Sequence, residues 1–229
     1  TLYNAPRIDW STRKFIIVTP IDGTPLHPDW AKMAGAADAI FTISKFGVEA
    51  FRQEGVRAHL LQPGVDTNEF RAAESPEEIA ELRAKVGLPV NAFVIGSFMM
   101  NQGRKAVPKV IEYFYEFARD KKDAYLWLDM EKTSPAGWDI PNLLTQMKVP
   151  PEFQKRIFYR EAAFLAGIGG LRERYILCDL TAQLAHREGF GLPNIESMAC
   201  KVPATVLDWC SGSEIAGGGA GILVRRIDY

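Results

Sequence analysis

Short apolar runs alternate with helix-like patterns along almost the whole chain, and this alternation limits the possible fold more than any other feature. The runs are rich in β-branched and aromatic residues, which favours strands, and most end at proline, glycine or polar residues. We predict strands at 13–23, 38–44, 57–66, 92–98, 124–130, 156–160, 176–185 (a strand, or a strand and turn), 204–209 and 221–224. We predict helices at 28–36, 45–55, 75–87, 105–120, 139–149, part of 162–175, and 193–201. This order indicates an α/β fold with doubly wound parallel sheets.

The helix predicted at 75–87 carries a start signal and divides the chain. Ser75 is a predicted N-cap, Pro76 takes the first helical position, and Glu78 completes a capping box. Because this start is acidic and solvated, we interpret the helix as a surface connector. We therefore expect one domain at 1–70, a connector at 71–90 and a second domain at 91–229.

Composition excludes several classes of protein. The 229 residues are 47% hydrophobic and 24% charged, and a formal net charge of −1 argues against nucleic-acid binding. We find no run of about 18 apolar residues and no signal peptide, so we expect no membrane span. The cysteines, Cys178, Cys200 and Cys210, form no Cys-x-x-Cys motif, which favours buried free thiols in a reducing compartment.

His27, His59 and His186 show no metal-ligand spacing with each other or with the cysteines, so we expect no metal site. Asp22 and His27 lie in a turn-rich segment, and we favour a structural role for both. The chain begins at Thr1 rather than methionine, and it stops soon after a strand-like run. We expect both ends to be incomplete.

The segment 187–196, REGFGLPNIE, is the first candidate ligand loop, since it follows a predicted strand and opens a helix. Doubly wound folds bind ligands outside the carboxyl ends of their strands. Gly189 and Gly191 permit a tight turn, and the free amides at the helix start can hold an anion. The turn would fold Glu188 and Glu196 toward one cleft, where carboxylates accept hydrogen bonds from vicinal hydroxyls. Such a site suits an anionic, hydroxyl-rich ligand.

A purely structural interpretation of the same segment stays open. Pro193 fits the first helical position, and an acid such as Glu196 in the first helical turn is favoured by about 0.3–1 kcal/mol. Glu188 would then be solvated, and glycines occur in any turn.

The second candidate loop follows the predicted strand at 92–98 and carries Arg104 and Lys105 at or just before the next helix. The helix dipole disfavours cations there. A bound diphosphate would explain their placement, because both charges and the helix amides can hold it. The structural alternative is a solvated basic pair at the end of a loop.

The stretch 187–208 closely resembles the signature of retaining GT-B glycosyltransferases, specifically the large family four, or group 1. That signature is an acid, the block Gly-Phe-Gly-Leu-Pro and a second acid after seven intervening residues; here Glu188, residues 189–193 and Glu196 match it. Ser197 stands where the family usually has alanine.

The second loop is also similar to this family, whose donor-diphosphate loop matches Gly96, Arg104 and Lys105. The likeness covers roughly 38–229 and is most specific from residue 91. It implies two Rossmann-like domains, with the end of the acceptor domain at 1–70 and most of the donor domain at 91–229.

The resemblance implies transfer of a sugar from a nucleotide diphosphate sugar with retention of anomeric configuration. Arg104 and Lys105 would stabilise the leaving diphosphate, Glu196 would bind the ribose hydroxyls, and Glu188 the donor sugar. The implied catalytic residues are Glu188, Arg104 and Lys105, and the implied donor-binding residues are Glu196, Gly189, Phe190, Gly191, Leu192 and Gly96.

The resemblance implies no cofactor and no metal, and the sequence contains no Asp-x-Asp that would hold one. We expect a cytoplasmic protein with an unidentified sugar, lipid-linked or protein acceptor, and membrane association through a part outside this chain. Rival interpretations are an epimerase or phosphorylase of the same fold, or a non-catalytic or degenerate sugar-nucleotide-binding module.

Overall fold

The structure, a computed structural model, describes residues 13–160 and 168–225, and these form two compact units. The first unit holds the described residues up to Pro63 together with Glu188–Phe190, and the second holds the described remainder. Within those ranges, no helix has the length and apolar character needed to cross a membrane.

The first unit is a parallel three-stranded sheet with helices between its strands. Its elements are β1 (Ile16–Thr19), α1 (Pro28–Ala34), β2 (Ala39–Thr42), α2 (Lys45–Gln53) and β3 (His59–Leu60), with strand order β1-β2-β3. Ile40, Ala50 and Phe51 are buried in its core. The strand predicted at 57–66 is much shorter than expected, because among the described residues β3 pairs with β2 alone, and that strand ends at Thr42.

The second unit is a six-stranded sheet in which every strand is parallel to its neighbours, as predicted for an α/β chain. Its strands are β4 (Phe93–Phe98), β5 (Ala124–Asp129), β6 (Ile157–Tyr159), β7 (Leu180–Gln183), β8 (Ala204–Leu207) and β9 (Ile222–Val224). Its helices are α3 (Pro76–Lys85), α4 (Val107–Ala118), α5 (Ile140–Gln146), α6 (Pro151–Gln154), α7 (Leu171–Ile176), α8 (Leu192–Ala199) and α9 (Gly212–Ala216). The strand order is β6-β5-β4-β7-β8-β9.

Two cores cover the two faces of this sheet. Successive residues of a strand point to opposite faces, so Ile95 and Leu126 pack in one core with α4 and α5. Val94 and Trp127 pack in the other core with α3 and α7. Burial on both faces explains why β4 and β5 are almost continuously apolar.

The helix α3 begins as the sequence predicts, but only half of its capping box forms. Ser75 Oγ accepts a hydrogen bond from the Glu78 amide at 3.4 Å. The Glu78 carboxylate accepts from the Glu74 amide and pairs with Arg172 at 2.7 Å, and no bond from it to the Ser75 amide is seen. Leu82 is buried in a core of the second unit, so α3 packs as part of that unit.

The strand predicted at 176–185 is also shorter than expected. Ile176 closes α7, and pairing begins at Leu180. A short apolar run fits a buried helix turn as well as a strand, and here the start of the run completes the helix.

Candidate functional site

Both candidate loops lie at the point where the order of the sheet reverses. From β4 the chain builds β5 and β6 on one side, and it then crosses back to build β7, β8 and β9 on the other. The carboxyl ends of the neighbouring strands β4 and β7 therefore meet at this switch point, which is where doubly wound sheets bind their ligands. Residues 99–106 follow β4, and residues 184–191 follow β7.

The loops are joined to each other through Arg104. The carbonyl oxygen of Arg104 accepts a hydrogen bond from the His186 amide at 2.9 Å. The Arg104 guanidinium donates to the carbonyl oxygen of Arg187 at 2.8 Å. The exposed Arg104 is thus attached to the residue immediately before Glu188.

Arg104 and Lys105 precede the helix as predicted, in a short 3-10 turn at Gly103–Lys105. Ala106 then takes a left-handed conformation with φ 53°, and α4 starts at Val107. Lys105 is only 9% exposed, so the pair is not simply two solvated cations.

Sequence reasoning missed Asn101, which braces the loop after β4. The Asn101 side chain donates to the carbonyl oxygens of Glu131 and Trp138 and accepts from the Trp138 amide at 2.9 Å. A Cβ at Gly137 would overlap Asn101, so the loop after β5 can approach this closely only with glycine there. A lone polar residue in a loop carries no pattern that would reveal these contacts.

The second loop turns at Gly191, which caps α8 with φ 94° and ψ 55°. This left-handed conformation favours glycine, as the sequence predicts. The helix starts at Leu192, so Pro193 is its second residue rather than the first. Glycine at this position lets the chain turn tightly from β7 into α8.

Glu196 is the fifth residue of α8, which corrects its prediction as a first-turn residue. The helix-start explanation for this acid therefore fails. The half-buried carboxylate instead accepts a hydrogen bond from the Tyr175 hydroxyl at 2.7 Å. Burial raises the pKa of Glu196, the Tyr175 hydrogen bond opposes this, and the Glu69 carboxylate adds to the rise. Sequence reasoning missed Tyr175, since it precedes Glu196 by 21 residues.

Ser197, the departure from the family pattern, is explained by packing. It is fully buried, and its hydroxyl donates to the Val202 carbonyl oxygen at 2.9 Å and lies 2.8 Å from Thr181 Oγ1 on β7. The hydroxyl ties α8 to the sheet beneath it.

The remaining predicted site residues fall in different places. Glu188, Gly189 and Phe190 group with the first unit, so the predicted cleft shared by both acids stays a prediction. Leu192 is exposed at the start of α8. Gly96 lies inside β4, within the strand predicted at 92–98, and a Cβ there would come within 2.7 Å of Cys178 Sγ. Close packing accounts for this glycine, and its donor contact stays a prediction.

A buried carboxylate at the end of β5 also escaped prediction. Asp129 is 5% exposed and binds the Arg174 guanidinium through both oxygens at 2.8 Å. Arg160, just past β6, lies 3.7 Å from the same carboxylate. These ions link the ends of β5 and β6 to α7.

Among the residues that the structure describes, no group of histidine, cysteine or acidic side chains is arranged to hold a metal ion. Cys178 and Cys200 are buried, as predicted, whereas Cys210 is partly exposed, which corrects the expectation for that thiol. Asp22 lies in the first unit, between β1 and α1, and its predicted structural role stays a prediction.

Comparison with solved structures identifies the architecture. The crystal structure of HepE from Anabaena in complex with UDP superposes with a TM-score of 0.74 and 20% identity, over 93% of this chain and 58% of that one. The C-terminal domain of the glycosyl transferase group 1 family protein LpcC from Francisella tularensis gives a TM-score of 0.59 and 25% identity, over 71% of this chain and 80% of that one. The fold is of the GT-B type.

Sequence comparison adds two findings to this GT-B assignment. Residues 162–226 match the family described as "Glycosyl transferases group 1", a range that includes Glu188 and Glu196. The serotype-specific mannosyltransferase WbdA of Escherichia coli is 26% identical over 144 residues, which are 62% of this GT-B chain and 16% of WbdA. The chain thus spans about a sixth of this curated relative and 58% of the HepE chain.

Proposed function

We propose that this chain binds a nucleotide diphosphate sugar and, within a longer protein, takes part in transferring the sugar to an acceptor with retention of configuration, as in family four. The observation that carries the proposal is the pair of hydrogen bonds by which Arg104 joins the loops after β4 and β7. Support also comes from the group 1 match over 162–226, and from the names of relatives, a mannosyltransferase and a protein crystallised with UDP.

In this proposal each loop supplies one part of the donor site. Arg104 and Lys105 bind the diphosphate and stabilise the negative charge that develops on it as the bond to the sugar breaks. Amides at 190–192 add neutral donors to the same oxygens. Glu196 accepts hydrogen bonds from the ribose hydroxyls, and Glu188 binds the donor sugar and steadies positive charge at its anomeric carbon.

We also propose that donor binding requires no metal ion, because Arg104 and Lys105 supply positive charge for the diphosphate. The proposed acceptor is a sugar, a lipid-linked molecule or a protein. The dissociation constant of the donor nucleotide should be the same in EDTA as in magnesium. A clear requirement for magnesium would contradict this part of the proposal.

Calorimetric titration of the chain with UDP, GDP and ADP tests the donor site. One of the three should bind, and Arg104→Ala and Lys105→Ala should each weaken it at least tenfold, about 1.4 kcal/mol. Lys109→Ala is the matched control, because it removes a positive charge from α4 that pairs with Glu112 and lies outside the proposed site. This control should change the dissociation constant less than twofold.

The outcomes separate the proposal from its alternatives. If a folded chain binds none of the three nucleotides, the donor site is refuted. If a longer protein containing the chain binds donor but never releases nucleoside diphosphate in the presence of acceptor fractions, the non-catalytic module is favoured. An inverted anomeric centre in the product, seen by NMR, would contradict retention.

A further inference from the structure

Tyr175 is a buried tyrosine whose hydroxyl is directed at a carboxylate of the candidate site. It lies on α7, is 1% exposed, and donates to Glu196 Oε2 on α8 at 2.7 Å. Burial and the neighbouring carboxylate raise the pKa of Tyr175, so the hydroxyl remains a donor at neutral pH. Among the described residues, Tyr175 alone forms a hydrogen bond with the Glu196 carboxylate.

The ring of Tyr175 is held by two aromatic neighbours. Its centroid lies 4.0 Å from that of Phe98 in a tilted contact and 6.1 Å from that of Phe70 in an edge contact. Phe98 is the last residue of β4, from which the loop that carries Arg104 departs. The Tyr175 side chain therefore contacts both the end of β4, which precedes the Arg104 loop, and Glu196 on α8, which follows the loop after β7.

We propose that Tyr175 is a positioning residue that holds the Glu196 carboxylate in the orientation needed to bind both ribose hydroxyls of the donor. This inference rests on the function proposed above. A carboxylate offers about four lone-pair sites, and the tyrosine occupies one on Oε2. Oε1 and the second site on Oε2 then face the ligand as a fixed pair of acceptors.

The contact with Phe98 extends this role along the donor. Because the tyrosine ring packs on the strand end before the diphosphate loop, Glu196 is set at a constant distance from that loop. The ribose site and the diphosphate site are thereby kept at a fixed separation, which a single nucleoside diphosphate needs in order to occupy both. Loss of the hydroxyl leaves the ring contacts intact but frees the carboxylate to rotate.

The test compares ribose with deoxyribose. UDP, GDP and ADP, each beside its 2′-deoxy analogue, are titrated into the wild-type chain, Tyr175→Phe, Glu196→Gln and the double variant. We expect the wild type to prefer the ribose form and Tyr175→Phe to reduce that preference about three- to tenfold. Thermal unfolding checks that each variant is folded, and Tyr115→Phe, which alters a half-buried tyrosine on α4, is the matched control.

A merely structural tyrosine would weaken both nucleotide forms equally and leave their ratio unchanged. The double variant tests whether Tyr175 acts through Glu196. In the Glu196→Gln background, Tyr175→Phe should change the ratio of ribose to deoxyribose affinity less than twofold. If Tyr175→Phe keeps the wild-type ratio, the positioning role is overturned while the donor site stands. If the folded wild type binds none of the nucleotides, the donor site and this inference both fall.

Discussion

Arg83 and Asp179 are 96 residues apart in the chain and form an ion pair with 2.8 Å between Nη2 and Oδ2. Arg83 is 6% exposed, and its remaining nitrogens donate to the carbonyl oxygens of Leu177, Val90 and Ala92. One guanidinium thus joins α3 to the starts of β4 and β7, the two strands that flank the switch point.

Replacing this arginine should destabilise the second unit strongly. Arg83→Met leaves three carbonyl oxygens without their arginine donor and removes the charge partner of Asp179, whose carboxylate keeps, among the described residues, only the Val94 amide as a donor. We expect a loss of about 3 kcal/mol in the free energy of unfolding. Urea denaturation followed by tryptophan fluorescence measures it. Arg119→Ala, which breaks the exposed pair with Glu116, is the control and should cost no more than about 0.5 kcal/mol. A loss under 1 kcal/mol for Arg83→Met would show that the network is dispensable.

Gly191 should tolerate substitution poorly, because its φ of 94° lies in the left-handed region. Gly191→Ala should lower the free energy of unfolding by about 1–2 kcal/mol, and Gly191→Asn by less, since asparagine adopts this region more readily. Gly103→Ala is the matched control: its φ is not positive, and an added Cβ would meet no atom within 4 Å. Equal effects at both glycines would contradict the conformational explanation.

Glu196 should make stability depend on pH. Burial is the main cause that raises its pKa, so at a pH just above the ordinary glutamate value the folded chain holds a proton that the unfolded chain has lost. Stability from this group is therefore fully present at low pH and is lost as the pH rises through the raised pKa. Glu196→Gln should remove this loss, so that variant and wild type converge at low pH and diverge toward neutral pH in urea titrations. Glu81→Gln, on an exposed position of α3, should run parallel to the wild type.

The three cysteines should react with thiol reagents at very different rates. Cys178 and Cys200 are buried. Burial raises the pKa of the Cys178 thiol, and it raises that of Cys200 to about 11, so both thiols are protonated at neutral pH. Cys210 is partly exposed and should react first with a chromogenic disulfide. In Cys210→Ser the fast phase should vanish; a fast phase that persists would mean that a buried thiol becomes accessible.

Several parts of the fold follow from local patterns and were predicted. The alternating apolar runs identified the α/β class, and Ser75 with Pro76 identified the start of α3 to the residue, since a cap depends on neighbours within one turn. Arg104 and Lys105 were predicted at or just before the next helix, and they lie in the 3-10 turn that precedes α4. Strand ends were less predictable: β3 stops where its partner stops, and Ile176 belongs to a helix.

The sequence by itself determined which residue types enter the candidate site, because the glycine turn and its flanking acids are contiguous and are recognisable from spacing. Only the tertiary structure decided how those residues are held. Tyr175 reaches Glu196 because α7 packs against α8. Arg104 reaches Arg187, 83 residues away, because β4 and β7 are distant in the chain but lie side by side in the sheet. Such contacts depend on strand order and helix packing, which no local pattern records.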